Sequence, residues 1–246
     1  MINTLKKPIN LINAAFVLTQ LVLLYLILWG NTDTDVVCFI TVCLACLHGG
    51  AFVILKKRGY LCLVALVFTV ISDVFLVLRY TSTGAYMDQA IAMTTFSVTQ
   101  LAYFLSILVL TKSKKLKLVH ISVRAFLSVF AVVLTLIVLK KDANYMLCIT
   151  MFYFANLVLN AVFAFIKFKQ HGAMAVGFVF FIFCDVLIGL TIALGSIIVV
   201  PETSILYTIT FSGFNYTWLF YVISQTLLSL YVARKKNWQT YGLAQG

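Results

Sequence analysis

Val67-Phe-Thr-Val-Ile-Ser-Asp73-Val-Phe-Leu-Val-Leu78 is an apolar run with a single carboxylate at its centre. Its length and composition read as a membrane helix that carries one acid. A charge in the hydrocarbon costs about 2.5 to 3.5 kcal/mol on insertion scales, so an intramembrane Asp marks a functional site by default. The arrangement recurs. Val179-Phe-Phe-Ile-Phe-Cys-Asp185-Val-Leu-Ile-Gly-Leu190 aligns with the first stretch without a gap, matching at Val67/Val179, Phe68/Phe180, Asp73/Asp185, Val74/Val186 and Leu78/Leu190.

The rest of the chain agrees with a membrane setting. Of its 246 residues 63% are hydrophobic and 10% charged, and the mean hydropathy of +1.07 is far above that of a water-soluble domain. A spanning helix needs about 20 apolar residues. Eight such runs are separated by charged or turn-forming breaks: 9–29, 34–55, 60–79, 88–111, 118–139, 144–166, 172–200 and 214–233. The expected fold class is therefore all-α, one polytopic transmembrane domain over 1–246. No small-residue cleavage site follows the first run, so helix one is expected to remain in the protein.

In a soluble protein a net charge of +11 would suggest nucleic acid; here it reports orientation. Lys6, Lys7, Lys56, Lys57, Arg58, Lys112, Lys114, Lys115, Lys117, Lys167, Lys169, Arg234, Lys235 and Lys236 fall on one side of the eight spans. Arg79, Lys140 and Lys141 fall on the other, and Arg124 lies inside helix five. The positive-inside rule then predicts both termini in the cytoplasm, in the cell membrane if the source is bacterial. No nucleic-acid partner is expected.

Both acids lie thirteen residues from a basic helix end, Asp73 from Tyr60 and Asp185 from Gly172. At 1.5 Å per residue each is about 20 Å deep, so equal depth is predicted. Each Asp helix precedes a helix with a central Gln after a hydroxyl residue, Phe96-Ser-Val-Thr-Gln100-Leu-Ala-Tyr103 and Tyr221-Val-Ile-Ser-Gln225. Four helices separate the members of each pair, which describes a parallel 4+4 repeat with its axis along the membrane normal. Buried Gln can serve as interhelical glue or as part of a site, and both readings stand for Gln100 and Gln225.

Other polar residues read more simply. Pro8 suits a helix start, and Trp29, Trp218 and Trp238 fit an aromatic belt, with Asn31 and Asp33 just past helix one. Cys43-Leu-Ala-Cys46 is formally a C-x-x-C, yet His48 points elsewhere and no second cluster completes four ligands. The six cysteines are expected to be reduced, buried thiols, and Gly49-Gly50 to permit close helix approach. His120 and His171 sit at basic helix ends, so no metal or cofactor is expected. Arg124 is placed to snorkel toward lipid phosphate. Tyr153, Asn156 and Asn160 share one helix face, as glue or as pocket lining. The segment from Gly195 to Gly213, broken by Pro201-Glu202, reads as a membrane-lying flap over the outer ends of helices seven and eight, and the tail after Lys236 as mobile.

At the two Asp stretches and the helices that follow them, roughly 60–110 and 172–232, the chain resembles the YhhN-like lysoplasmalogenase family of eight-helix membrane hydrolases. The motifs are Ser72-Asp73, the Phe96 to Tyr103 stretch, Cys184-Asp185, and Tyr221 with Gln225. Two positions depart from the family pattern. Gln100 stands where the family usually has His and cannot shuttle a proton, and helix two has no counterpart of the family's Lys.

The resemblance implies cleavage of the vinyl ether of a lysophospholipid, with membrane lipids around it, giving a fatty aldehyde and a glycerophospho head group. Two carboxyl groups suit that reaction. An acid protonates the β-carbon, and water captures the resulting oxocarbenium ion, much as glycosidases divide the work between two carboxylates. Facing each other at low dielectric, Asp73 and Asp185 would hold one proton between them. Gln100, Tyr103, Tyr221 and Gln225 are expected to orient water or the ether oxygen, with Ser72 beside them. The rival class is a transport or lipid-binding protein in which the same acids hold a proton or cation. A retinal-type photoreceptor would want a lysine in helix eight, and none lies between Asn215 and Ala233.

Overall fold

The structure, a computed structural model, describes residues 2–234 apart from 31–32, 197–200, 202 and 212–213. Asn31, Ile197 to Val200, Glu202, Ser212, Gly213 and the tail with Lys235, Lys236 and Trp238 lie outside the described residues. The long helices are α1 (Ile2–Trp29), α2 (Thr34–Lys56), α3 (Tyr60–Asp73), α4 (Tyr86–Leu110), α5 (Lys114–Leu139), α6 (Tyr145–Ile166), α7 (Phe168–Ser196) and α8 (Tyr216–Arg234). Among the described residues there is no strand. Among the described residues seven helices, α1 to α7 with α3 extended to Tyr80, are long and apolar enough to cross a membrane. The nineteen residues of α8 mix apolar side chains with Ser224, Gln225, Thr226 and Ser229.

Helix starts follow local chemistry. The Asp33 carboxylate accepts from the Asp35 and Val36 amides, Ser113 caps α5 at Leu116, Asn144 caps α6 at Leu147, and Asn215 caps α8 at Trp218. Each satisfies amides that a helix start leaves unpaired. Gly59, at φ +85°, makes the tight turn from α2 into α3. Two starts differ from the sequence expectation. α1 begins at Ile2, which puts Pro8 in its second turn and not at its start. His171 has non-helical angles, φ −123° and ψ 16°, so Phe168–Gln170 form a separate turn before the main body of α7.

Six helices close into a ring: α2 packs on α3, α3 on α4, α4 on α6, α6 on α7, α7 on α8, and α8 back on α2. α1 lies outside against α2 and α8, and α5 lies outside against α6. Leu66, Leu157, Phe178, Phe181 and Leu228 fill the interior. The outer faces are apolar too, with Leu18, Leu21 and Tyr25 of α1 and Phe126, Phe130 and Ile137 of α5 all exposed. A water-soluble protein rarely presents such surfaces. With seven apolar helices of spanning length, this is a multi-pass integral membrane protein.

Lipid tails are as apolar as Leu, so cohesion inside a membrane comes from close packing and buried hydrogen bonds. Gly49 of α2 shows the first. A Cβ there would lie 2.6 Å from Leu66 Cδ1 on α3 and 3.5 Å from Ser229 Oγ on α8. Gly49→Val is expected to destabilise the bundle by about 1 to 3 kcal/mol, the usual cost of overpacking. A thermal melt in detergent reads this, and an unchanged midpoint would mean that Leu66 swings away freely.

Candidate functional site

Asp73 is the last residue of α3, and the helix continues from Val74 to Tyr80 as a π-helix. Such turns carry a poorer hydrogen-bond pattern and occur often at functional sites. Asp73 is 1% exposed, and the hydroxyl of Tyr221 on α8 donates to its Oδ2 at 2.6 Å. Asp185, partly buried on α7, has a matching partner: Tyr153 of α6 donates to its Oδ2 at 2.5 Å.

One aromatic layer links the two pairs across the ring. The Phe181 ring lies 6.4 Å from Tyr153 and 5.5 Å from Tyr221, edge-on to both. Phe96 of α4 packs 5.5 Å from Tyr153 and 6.0 Å from Phe181, and Trp218 packs 5.9 Å from Tyr221. The two acids therefore share a level of the bundle but do not hydrogen-bond to each other. Each carboxyl group takes its own phenol, and Phe181 stands between the two phenols, so a single proton held between facing carboxyl groups is not the arrangement found. Phenol donors give each acid a strong hydrogen bond at low dielectric without a cation.

The other expected site residues divide. Ser72 is buried, with Oγ 2.7 Å from both the Phe68 carbonyl and Thr95 Oγ1, so its hydroxyl is spent fastening α3 to α4. Gln100 accepts from Asn160 Nδ2 at 3.0 Å through Oε1. Its Nε2 has no hydrogen-bond partner among the described residues, nor do Tyr103 Oη, Ser224 Oγ or either side-chain atom of Gln225. Tyr103 packs edgewise on Phe178 at 5.2 Å.

Tyr153, Asn156 and Asn160, grouped by spacing, do separate work. The Arg124 guanidinium donates to Asn156 Oδ1 at 2.5 Å and to Asn160 Oδ1 at 2.6 Å, and lies 4.3 Å over the Phe104 ring. Asn156 in turn donates to Ser128, and Asn160 to the Gln100 carbonyl. At 5% exposure Arg124 is turned into the bundle, which corrects the snorkelling expectation. Two amide oxygens one helical turn apart match the guanidinium fork, and that outcompetes the lipid interface. The i, i+4 Asn pair on α6 was the sequence signal for it.

His48 sits in a second polar knot, with Nδ1 2.8 Å from Ser229 Oγ of α8 and Nε2 3.0 Å from Asn13 Oδ1 of α1. Among the described residues no group of three or more His, Cys, Asp or Glu is placed to hold a metal ion. Sequence reasoning also passed over Asp88, buried at the start of α4, which pairs with Arg79 at 3.2 Å and accepts from Thr83. An open pocket of about 230 Å³ lies where the short helix Ile205–Phe211 approaches α7; Leu187, Thr191, Ile209 and Phe214–Thr217 line it. It sits one to two turns beyond the Asp layer along α7 and α8.

Compared with models of known families, with curated proteins and with solved structures, the chain gives no significant match. Fold and site define a multi-pass integral membrane protein whose ring of helices encloses two carboxyl–tyrosine pairs.

Proposed function

We propose that this chain is a membrane hydrolase of the YhhN-like lysoplasmalogenase kind, cleaving the vinyl ether of a lysophospholipid between Asp73 and Asp185. The observation that carries the reading is the pair of tyrosine-bonded carboxyl groups joined by one aromatic layer inside a membrane bundle. One carboxyl group, protonated, gives its proton to the β-carbon of the vinyl ether. The oxocarbenium ion so formed lies beside the aromatic faces of Phe181 and Phe96. The other carboxyl group, as the anion, takes a proton from water as its oxygen bonds the cationic carbon. The resulting hemiacetal collapses to the aldehyde and the free glycerol hydroxyl, so one water is consumed and the proton inventory returns to its start. Each phenol orients its carboxyl group through Oδ2, leaving Oδ1 to face the substrate.

In the same reading the chain crosses the membrane eight times, α8 included, as a parallel 4+4 repeat. Helix adjacency supports this: exchanging α1 with α5, α2 with α6, α3 with α7 and α4 with α8 turns the contacts α2·α3, α3·α4, α1·α2 and α8·α2 into α6·α7, α7·α8, α5·α6 and α4·α6, all of which occur. The two polar knots follow the same exchange, Asn13–His48–Ser229 joining α1, α2 and α8, and Arg124–Asn160–Gln100 joining α5, α6 and α4. In this reading the positive-inside rule, applied to the basic helix ends, puts both termini in the cytoplasm, in the cell membrane if the source is bacterial.

The test is cleavage of a lysoplasmalogen by the purified protein in D2O. Protonation at carbon predicts an aldehyde with one solvent deuterium on C2; aldehyde without it would exclude this route. Tyr221→Phe and Tyr153→Phe are each expected to slow release by about 10- to 100-fold, since a hydrogen bond to an ionised group is worth about 1.5 to 3 kcal/mol. Unchanged initial rates in both would reduce the phenols to packing. The helix exchange also favours a second reading, because repeats of this kind place transporter sites at their interface. Under it the acids carry a proton or cation, and no aldehyde is released under any condition.

A further inference from the structure

The bundle interior holds a group of polar side chains that the carboxyl–tyrosine layer does not use. Gln100, Tyr103, Ser224 and Gln225 are all 0% exposed, and each keeps at least one hydrogen-bonding atom that no group of the described residues meets. Buried polar atoms in native proteins are almost always partnered, by protein or by water.

Helix periodicity places the four together. Gln100 is one turn beyond Phe96 on α4, and Gln225 is one turn beyond Tyr221 on α8, in each case toward the basic end of the bundle. Phe96 and Tyr221 both touch Phe181, so residues at i+4 project from the same faces one turn below that ring, about 5.4 Å nearer the basic end. Phe178, one turn below Phe181 on α7, meets the ring of Tyr103, whose backbone lies two turns beyond Phe96, and Ser224 adjoins Gln225.

The donor and acceptor inventory defines the occupant. The Gln100 oxygen is taken by Asn160, itself held by Arg124, so Gln100 presents donors only. Gln225 presents donors and an acceptor, and the two hydroxyls present both. No charged side chain is bonded to any of the free atoms. A ligand for this set is neutral, accepts and donates, and is small enough to be wholly enclosed.

We propose that Gln100, Tyr103, Ser224 and Gln225 enclose an internal water site one turn below the Asp73 and Asp185 layer, on the side away from the outer pocket. A buried water makes about three hydrogen bonds, and the four side chains supply that number for more than one molecule. The site stands whether or not the protein is a hydrolase. Taken with that reading, it supplies the water of hydrolysis from below while lipid reaches the carboxyl groups from elsewhere.

X-ray radiolysis tests it, because hydroxyl radicals made from bound water mark the side chains beside that water. In the detergent-purified wild type Tyr103, which bulk solvent does not reach, is expected to be oxidised, as is the exposed Tyr60. The Gln225→Leu/Ser224→Ala variant should lose the Tyr103 mark several-fold and keep that on Tyr60. Unmarked Tyr103 in the wild type overturns the proposal without need of any variant. A dry site also predicts that Gln225→Met raises the melting temperature, whereas a wet one predicts a fall. Neither readout involves catalysis, so a failure here is distinct from a failure to find aldehyde.

Discussion

Asp73→Asn is expected to lower the rate of aldehyde release from a lysoplasmalogen by about 100- to 10,000-fold, the range set by loss of a positioned proton donor or acceptor. The substitution is nearly isosteric, and the amide oxygen still accepts from Tyr221, so the contact across α3 and α8 persists. What disappears is the group that can gain or lose a proton. Asp185→Asn, bonded by Tyr153 in the same way, is expected to do the same. Under the proposed mechanism removing both should add little, because protonation and water capture serve one reaction and loss of either group already disables it. Normal rates in both single variants, with protein that elutes and melts as the wild type does, would end the two-aspartate mechanism.

Arg124→Leu is expected to cost about 2 to 5 kcal/mol of stability, the range for stripping one partner from a buried charged network. The guanidinium holds Asn156 and Asn160 together, and its loss leaves two fully buried amide oxygens without that donor. Arg124→Lys should recover only part, since a single ammonium cannot bridge two oxygens as the planar fork does. Adding Asn156→Leu and Asn160→Leu to Arg124→Leu should recover more, because replacing both sides of a buried hydrogen bond by apolar groups is nearly neutral. A melt in which Arg124→Leu matches the wild type would mean that Arg124 can turn out to the lipid surface after all.

The sequence made the helices legible because a membrane imposes length and apolarity on every span, and the breaks at Lys56–Gly59, Lys112–Ser113 and Lys140–Asn144 interrupt both. It also marked Asp73 and Asp185, since a charge there stands out against its surroundings. Partners were not legible in this way. Tyr221 bonds Asp73 across 148 residues of chain, and Tyr153 bonds Asp185 from a helix whose Asn156 and Asn160 bond Arg124. Spacing on one helix says which residues share a face, not which neighbour that face meets, so Tyr153, Asn156 and Asn160 looked like one group and are two. Ser72 was read as a site residue for its place beside Asp73, yet adjacent helix positions point about 100° apart, and Ser72 faces Thr95. The π-helix after Asp73 had no signal in Val74–Tyr80, a stretch with neither Gly nor Pro. Arg124 misled because a basic residue near a helix end can reach either lipid or core, and the choice rests on the amides of the neighbouring α6.

The central claim is that the enclosed Asp–Tyr pairs perform vinyl-ether hydrolysis, and mass spectrometry of detergent-purified protein with two lysolipids tests it most directly. One lysolipid carries the vinyl ether and the other a saturated ether of the same chain length and head group. The account predicts fatty aldehyde from the vinyl ether alone, in equal amount to the glycerophospho product. Intact vinyl ether, in an assay where an active lysoplasmalogenase releases aldehyde, would contradict it and favour the reading of a binding or transport protein whose two acids hold a proton or cation.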